Sequence, residues 1–124
     1  MPELVLINNR YMDSKKVSVP VDSSGLLFGD GLFETMRVYK GNIFAFDLHY
    51  DRLISSMLLL RFNTSFFTRE SVRSAVFKLL LKNNLLDKDA YLKIIVSRSS
   101  YTEKFLFDPG SKPGLLIFAK TLKG

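Results

Sequence analysis

The sequence predicts an α+β fold, with two helices packed on one face of a mostly antiparallel sheet. Three observations predict it. β-type runs open and close the chain, two amphipathic stretches lie between them, and a compact Lys40-Gly41-Asn42 turn joins two of the strands as a hairpin. The 124 residues suit a single domain spanning 1–124.

Leu4 to Ile7 reads as the first strand, closed by the turn pair Asn8-Asn9. Val17-Ser18-Val19 alternates and stops at Pro20, and Val21 to Gly31 reads as a loop holding Asp22-Ser23-Ser24-Gly25 and Gly29-Asp30-Gly31. Phe33 to Tyr39 is the next strand and Ile43 to Phe46 its hairpin partner, with Gly41 supplying a positive φ between them. Asp47 is placed to cap a helix running to about Arg61, whose inward face carries Leu53, Met57 and Leu60. Asn63-Thr64-Ser65 breaks it. Thr68 caps a second helix, in which Val72, Ala75, Val76, Leu79 and Leu80 form one apolar stripe before Asn83-Asn84 stops it near residue 84. Ala90 to Ser97 is a strand, Ser99 to Lys112 a polar and aromatic loop, and Gly114 to Leu122 the last strand.

Hydrophobic residues make up 47% and charged residues 24%, which excludes a disordered or fibrous chain. Eighteen basic against twelve acidic residues leave +6, an invitation to an anionic partner: nucleic acid, a membrane surface or a phosphorylated small molecule. The basic residues are spread along the chain rather than clustered. The absence of Cys excludes disulfides and thiolate ligands and fits a reducing cytoplasm, and the lone His49 argues against a metal site. The opening MPELVLINNRYMDSKK lacks a basic region followed by an apolar one, and no strictly apolar run exceeds five residues against the ~20 that span a bilayer. A cytoplasmic chain with no membrane partner is expected.

Two constellations could carry chemistry. In Gly29-Asp30-Gly31-Leu32-Phe33-Glu34-Thr35, the glycines around Asp30 serve either a tight structural turn or a close approach of backbone to a ligand. They do not form the G-x-G-x-x-G dinucleotide fingerprint, which follows a strand and opens a helix. In Asp47-Leu48-His49-Tyr50-Asp51-Arg52-Leu53, His49 and Arg52 stand three apart on one face near a helix start, with Ser56 a turn further on. They are either solvated surface or an anion site, where a guanidinium fork and nearby N–H groups would meet a phosphate. By strand alternation Phe33, Thr35 and Arg37 share a face, as do Tyr91, Lys93 and Ile95. Lys93 and Arg98 are open to a pocket role or to plain solvent-facing and turn roles.

Taken together, Gly29-Asp30-Gly31-Leu32-Phe33-Glu34-Thr35-Met36-Arg37-Val38, Gly41-Asn42-Ile43-Phe44 and His49-Tyr50-Asp51-Arg52-Leu53 resemble the class IV aminotransferase family. These are the fold-type IV pyridoxal-phosphate enzymes: branched-chain and D-amino acid aminotransferases and aminodeoxychorismate lyases. Leu6-Ile7-Asn8-Asn9, Ser97-Arg98 and Gly114-Leu115-Leu116-Ile117 extend the resemblance through essentially the whole chain, and Leu92 to Arg98 looks most like the lyase version of its strand. The resemblance implies pyridoxal 5'-phosphate as cofactor, with Arg52 binding its phosphate and His49 supporting that region. It also implies a substrate pocket that includes Phe33, Thr35, Arg37 and Lys93.

The same resemblance implies amino-group transfer between an amino acid and a 2-oxo acid, or elimination from an aminodeoxychorismate-like substrate, in a cytoplasmic homodimer. The family's cofactor-bearing lysine lies in a second domain, and neither Lys120 nor Lys123 matches it. The chain is therefore expected to be the amino-terminal small domain, inactive on its own. The rival readings are a basic α+β nucleic-acid-binding domain and a non-catalytic dimerising fragment. Scattered basic residues and buried-looking aromatics argue against nucleic acid.

Overall fold

The structure, a computed structural model, describes residues 3–18, 31–98 and 112–122. Its strands are β1 (Leu4–Ile7), β2 (Arg10–Asp13), β3 (Gly31–Tyr39), β4 (Asn42–Ile43), β5 (Ala90–Ser97) and β6 (Gly114–Thr121). The helices α1 (Phe46–Leu59) and α2 (Arg69–Lys82) lie between β4 and β5, and a 3-10 turn covers Ser14–Lys16. The strands form one sheet in the order β2-β1-β6-β5-β3-β4, every neighbouring pair antiparallel. Both helices pack on one face, α1 over β3 and α2 over β1 and β6. The expected α+β architecture is the observed one.

Alternation builds the core. Met36 and Val38 of β3, Leu92, Ile94 and Val96 of β5, and Ile117 and Ala119 of β6 all point beneath the helices and are buried. They meet Leu53 and Met57 from α1 and Val72, Val76, Leu79 and Leu80 from α2. Each of these side chains contributes about 1.5–3 kcal/mol through burial.

The helix ends show where local sequence acts. Thr68 caps α2 as expected, accepting from the Ser71 N–H at 3.1 Å. Asp47 does not cap α1. The helix begins at Phe46 behind Ala45, whose φ of 56° turns the chain from β4 into the helix, so Asp47 falls in the first turn. There its carboxylate favours the N-terminal dipole and meets Arg69 and Arg73 of α2 at 2.8 and 3.1 Å. The same left-handed turn shortens β4 to Asn42–Ile43, where a strand to Phe46 was expected.

Both helices end in Schellman motifs. Phe62 N–H donates to Met57 and Arg61 N–H to Leu58, with Arg61 at φ 63°. Leu85 and Asn84 repeat the pattern on Leu80 and Leu81, with Asn84 at φ 58°. This geometry corrects the inward placement of Leu60: the motif turns it outward, 45% exposed, and the buried Phe62 packs in the core instead.

Two further corrections concern the start of the chain. β2 was not anticipated, because a polar edge strand such as Arg10-Tyr11-Met12-Asp13 carries no apolar run. Val17 and Ser18 form no strand, whereas Val19, Pro20, the 21–30 loop with Gly29 and Asp30, and residues 99–111 lie outside the described residues. Asn83 joins β1 to the end of α2, accepting from Leu4 N and donating to Leu4 O, each at 2.8 Å.

Two backbone substitutions test this account by urea unfolding. Arg61→Gly relieves a left-handed non-glycine residue and should stabilise the chain by about 0.5–1 kcal/mol. Gly41→Ala should destabilise it by more than about 1 kcal/mol, since φ is 81° there and a Cβ would lie 2.5 Å from the Leu86 carbonyl oxygen.

Candidate active site

β3 separates two sets of side chains. Phe33, Thr35 and Arg37 project from the helix-free face of the sheet, and all three are exposed. Register sets them against β5 as Phe33↔Ile95, Thr35↔Lys93 and Arg37↔Tyr91. Continuing across to β6, Lys93 faces Phe118 and Tyr91 faces Lys120. The Lys93 ammonium sits 4.6 Å from the centroid of the Phe33 ring, a cation–π contact that draws the cation toward the aromatic. Thus Phe33, Thr35, Arg37 and Lys93 are brought together on one patch, aromatic at one end and cationic along its length. Such a surface suits a carboxylate joined to an apolar group.

Glu34 points the other way. On the buried parity of β3, its side chain is 10% exposed and meets the first turns of α1. Arg52 donates from Nε to Oε2 at 2.9 Å and from Nη2 to Oε1 at 2.7 Å, a two-pronged guanidinium–carboxylate pair. His49 Nδ1 lies 2.8 Å from the same Oε1. Burial pushes the Glu34 pKa up, but hydrogen bonds and charges from Arg52 and His49 outweigh it and hold the carboxyl below its ordinary value. An ionised carboxylate only accepts, so Nδ1 carries the imidazole proton and donates to Glu34. The 3.3 Å approach of Arg52 Nη2 to Nδ1 is then a contact between two donors.

Arg52 is thereby aimed without being covered: its side chain remains 65% exposed, and Nη1 has no protein partner among the described residues. A guanidinium held along one edge and open along the other can receive an anion. Ser56, on the same helix face, does not join the cluster. Arg98 stacks 4.0 Å from the Phe62 ring centroid, away from the helix-free patch.

The expected cofactor pair, His49 and Arg52, and the expected substrate set therefore lie on opposite sides of β3. They adjoin at one edge: β4 pairs only Val38 and Tyr39, so the Gly31–Arg37 edge has no strand partner among the described residues. Glu34 was the residue missed as part of the cluster. Its signal was a carboxylate at the same parity as Met36 and Val38, which a strand would not bury without partners. A cavity lies elsewhere, between α2 and the β1–β6 pair, and none of these residues lines it. An open patch and an aimed guanidinium carry chemistry that cavity volume does not report. Among the described residues no cluster suits a metal ion, and no helix is long and apolar enough to cross a membrane.

Residues 31–123 match the amino-transferase class IV family. The chain is 32% identical over 90 residues to the D-alanine aminotransferase of Listeria innocua, covering 73% of this chain and 31% of that protein. It is 29% identical over 120 residues to the aminodeoxychorismate lyase of Bacillus subtilis, covering 97% of this chain and 41% of that protein. The chain thus spans less than half the length of these relatives. Among solved structures, the branched-chain amino acid aminotransferase from Escherichia coli superposes with a TM-score of 0.84 at 23% identity, over 98% of this chain and 42% of that one. A hypothetical aminotransferase from Mycobacterium tuberculosis in a PLP-bound form superposes at 0.74 with 20% identity, over 97% and 40%.

Glu34 should make stability depend on pH. Its lowered pKa adds stability that is present above the ordinary carboxylate pKa of about 4.3 and is lost as pH falls through the folded value. Glu34→Gln should therefore unfold at lower urea than wild type at pH 7, and the gap should narrow progressively as pH falls below the ordinary carboxylate pKa. A gap that persists undiminished at the lower pH would show that the carboxylate charge is not what Arg52 and His49 hold.

Proposed function

Because the chain belongs to the amino-transferase class IV family, we propose that it forms the small-domain wall of a pyridoxal-phosphate-dependent enzyme. In this reading Arg52 holds the cofactor phosphate, and the Phe33, Thr35, Arg37 and Lys93 patch receives the substrate. The reaction is amino-group transfer between an amino acid and a 2-oxo acid, or the related aminodeoxychorismate-type elimination. The observation that carries the reading is the geometry of Arg52, fixed by Glu34 along one edge and open along the other.

The residues fit the group. A phosphate monoester carries close to two negative charges at neutral pH, and a guanidinium answers it with charge-assisted hydrogen bonds. Pyridoxal phosphate, when bound, supplies the electron sink for carbanion chemistry at the substrate α-carbon. Glu34 keeps the guanidinium plane in place, so little conformational entropy is lost when an anion binds. His49 completes that hold by donating Nδ1–H to the same oxygen. On the far face of β3, Arg37 and Lys93 would bind and orient the substrate carboxylate, and Phe33 would shield the neighbouring site from water. No described side chain is assigned the proton-transfer step. That role goes to a lysine in a second domain, beyond these 124 residues, and a homodimer in the cytoplasm is the assembly proposed.

The lyase alternative draws support from the aminodeoxychorismate lyase likeness, which runs over nearly the whole chain. Nucleic-acid binding is not favoured, since Arg52, Arg69, Arg73 and Lys120 are each paired with a carboxylate.

In the protein carrying both domains, Arg52→Ala should weaken cofactor retention roughly ten- to hundredfold, and Arg52→Lys should weaken it less. Retention is read by dialysis against free cofactor, followed by absorbance. The Ala variant should also unfold at lower urea, because the buried Glu34 carboxylate loses its cationic partner, so retention is compared well below the unfolding midpoint of every variant. Cofactor held as tightly by the Ala variant as by wild type would remove Arg52 from the site.

A further inference from the structure

The cavity on the helix side of the sheet is unused by the reading above. It measures about 390 Å³ and is bounded by α2, the β1–β2 turn and the start of β6. Pockets of 300–1,000 Å³ are the size that takes small organic ligands. Its floor is apolar: Leu6 and Ile117 from the sheet, Leu53 from α1 and Val72 from α2.

Its rim is made of donors. Lys78 is exposed and forms no ion pair among the described residues, and Lys112, also exposed, lies over the Phe66 ring at 5.0 Å. Asn8 Oδ1 accepts from Leu115 N at 3.0 Å, which leaves the Asn8 amide to present its Nδ2 hydrogens. Ser74, one turn before Lys78 on α2, adds a hydroxyl. Among the described residues, no Asp or Glu lines the cavity. An apolar floor beneath two ammonium groups that no described carboxylate neutralises is complementary to one class of ligand.

We propose that this cavity binds a small amphipathic carboxylate, its hydrocarbon part on Leu6, Leu53, Val72 and Ile117 and its carboxylate between Lys78 and Lys112. The charges select the anion. The rim also has donors in excess of acceptors, so an ammonium or a neutral amide would leave rim groups unanswered. The site is independent of the β3 patch: β5 presents Ile94 to the cavity and Ile95 to the opposite face.

Octanoate is the probe, with octylamine and octan-1-ol as controls, titrated into the 124-residue chain and followed by methyl resonances in NMR. Octanoate should shift Leu6, Val72 and Ile117 saturably, while octylamine should leave them in place. Lys78→Met combined with Lys112→Met should keep the fold, checked by circular dichroism, and weaken octanoate binding at least tenfold. Equal binding of octylamine, equal binding by the double variant, or absence of saturable shifts would overturn the proposal. So would shifts confined to Ile95 and Leu116, which would move the carboxylate to the helix-free face. Loss of cofactor retention in Arg52 variants tests the proposed function alone and leaves this site unaffected.

Discussion

The pairing of β3 with β5, continuous from Gly31↔Ser97 to Val38↔Ala90, decides where every side chain of interest points. A shift of one residue would carry Met36 and Val38 into water and bring Phe33, Thr35 and Arg37 under the helices. Register is held because Met36, Val38, Leu92 and Ile94 are fully buried against α1 and α2. Hydrophobic packing on one side of the sheet thus positions polar chemistry on the other. The backbone of the helix-free patch belongs to two paired strands rather than to loops.

Glu34 is the exception within that pattern, and it ties the two faces together. It occupies a core position, but its carboxylate is answered by Arg52 and His49 from α1. The cost of burying a charge is offset by two hydrogen-bonding partners, one of them cationic. The same contacts set the rotation of α1 against β3. A second seam lies at the helix starts, where Arg69 bridges Asp47 and Asp51 and stacks on Tyr50 while Tyr50 donates to the Phe67 carbonyl. Helix orientation is therefore specified by polar groups at one end and apolar packing along the length.

Most of the architecture was legible in residue order. β-type runs marked β3, β5 and β6, and the Val72–Leu80 stripe with Thr68 before it marked α2. What escaped has identifiable causes. β2 is polar because it is an edge strand, and Ala45 gives no sign that it takes a left-handed turn. Asp47 looked like a cap because caps are recognised by residue type, whereas the start of α1 is set by backbone geometry one residue earlier. Arg61, unlike glycine, does not advertise a Schellman motif, so Leu60 was assigned to the core. At the site, His49 and Arg52 stood out by spacing, and the face shared by Phe33, Thr35 and Arg37 followed from alternation. Their relation through Glu34 is a long-range contact that spacing alone does not encode.

The joining of β1 to β6 has a mechanical side. The two strands meet through Leu6↔Ile117 and Ile7↔Leu116, and Glu3 sits 2.8 Å from Lys120 across the same seam. Because the strands run antiparallel, tension applied through Leu4 and Thr121 acts along the hydrogen bonds, at right angles to the strands. The bonds are then loaded one after another, as in a zipper, instead of sharing the force as in shear. The sheet would peel from this seam under modest pull while the β3–β5 ladder beyond it stayed closed.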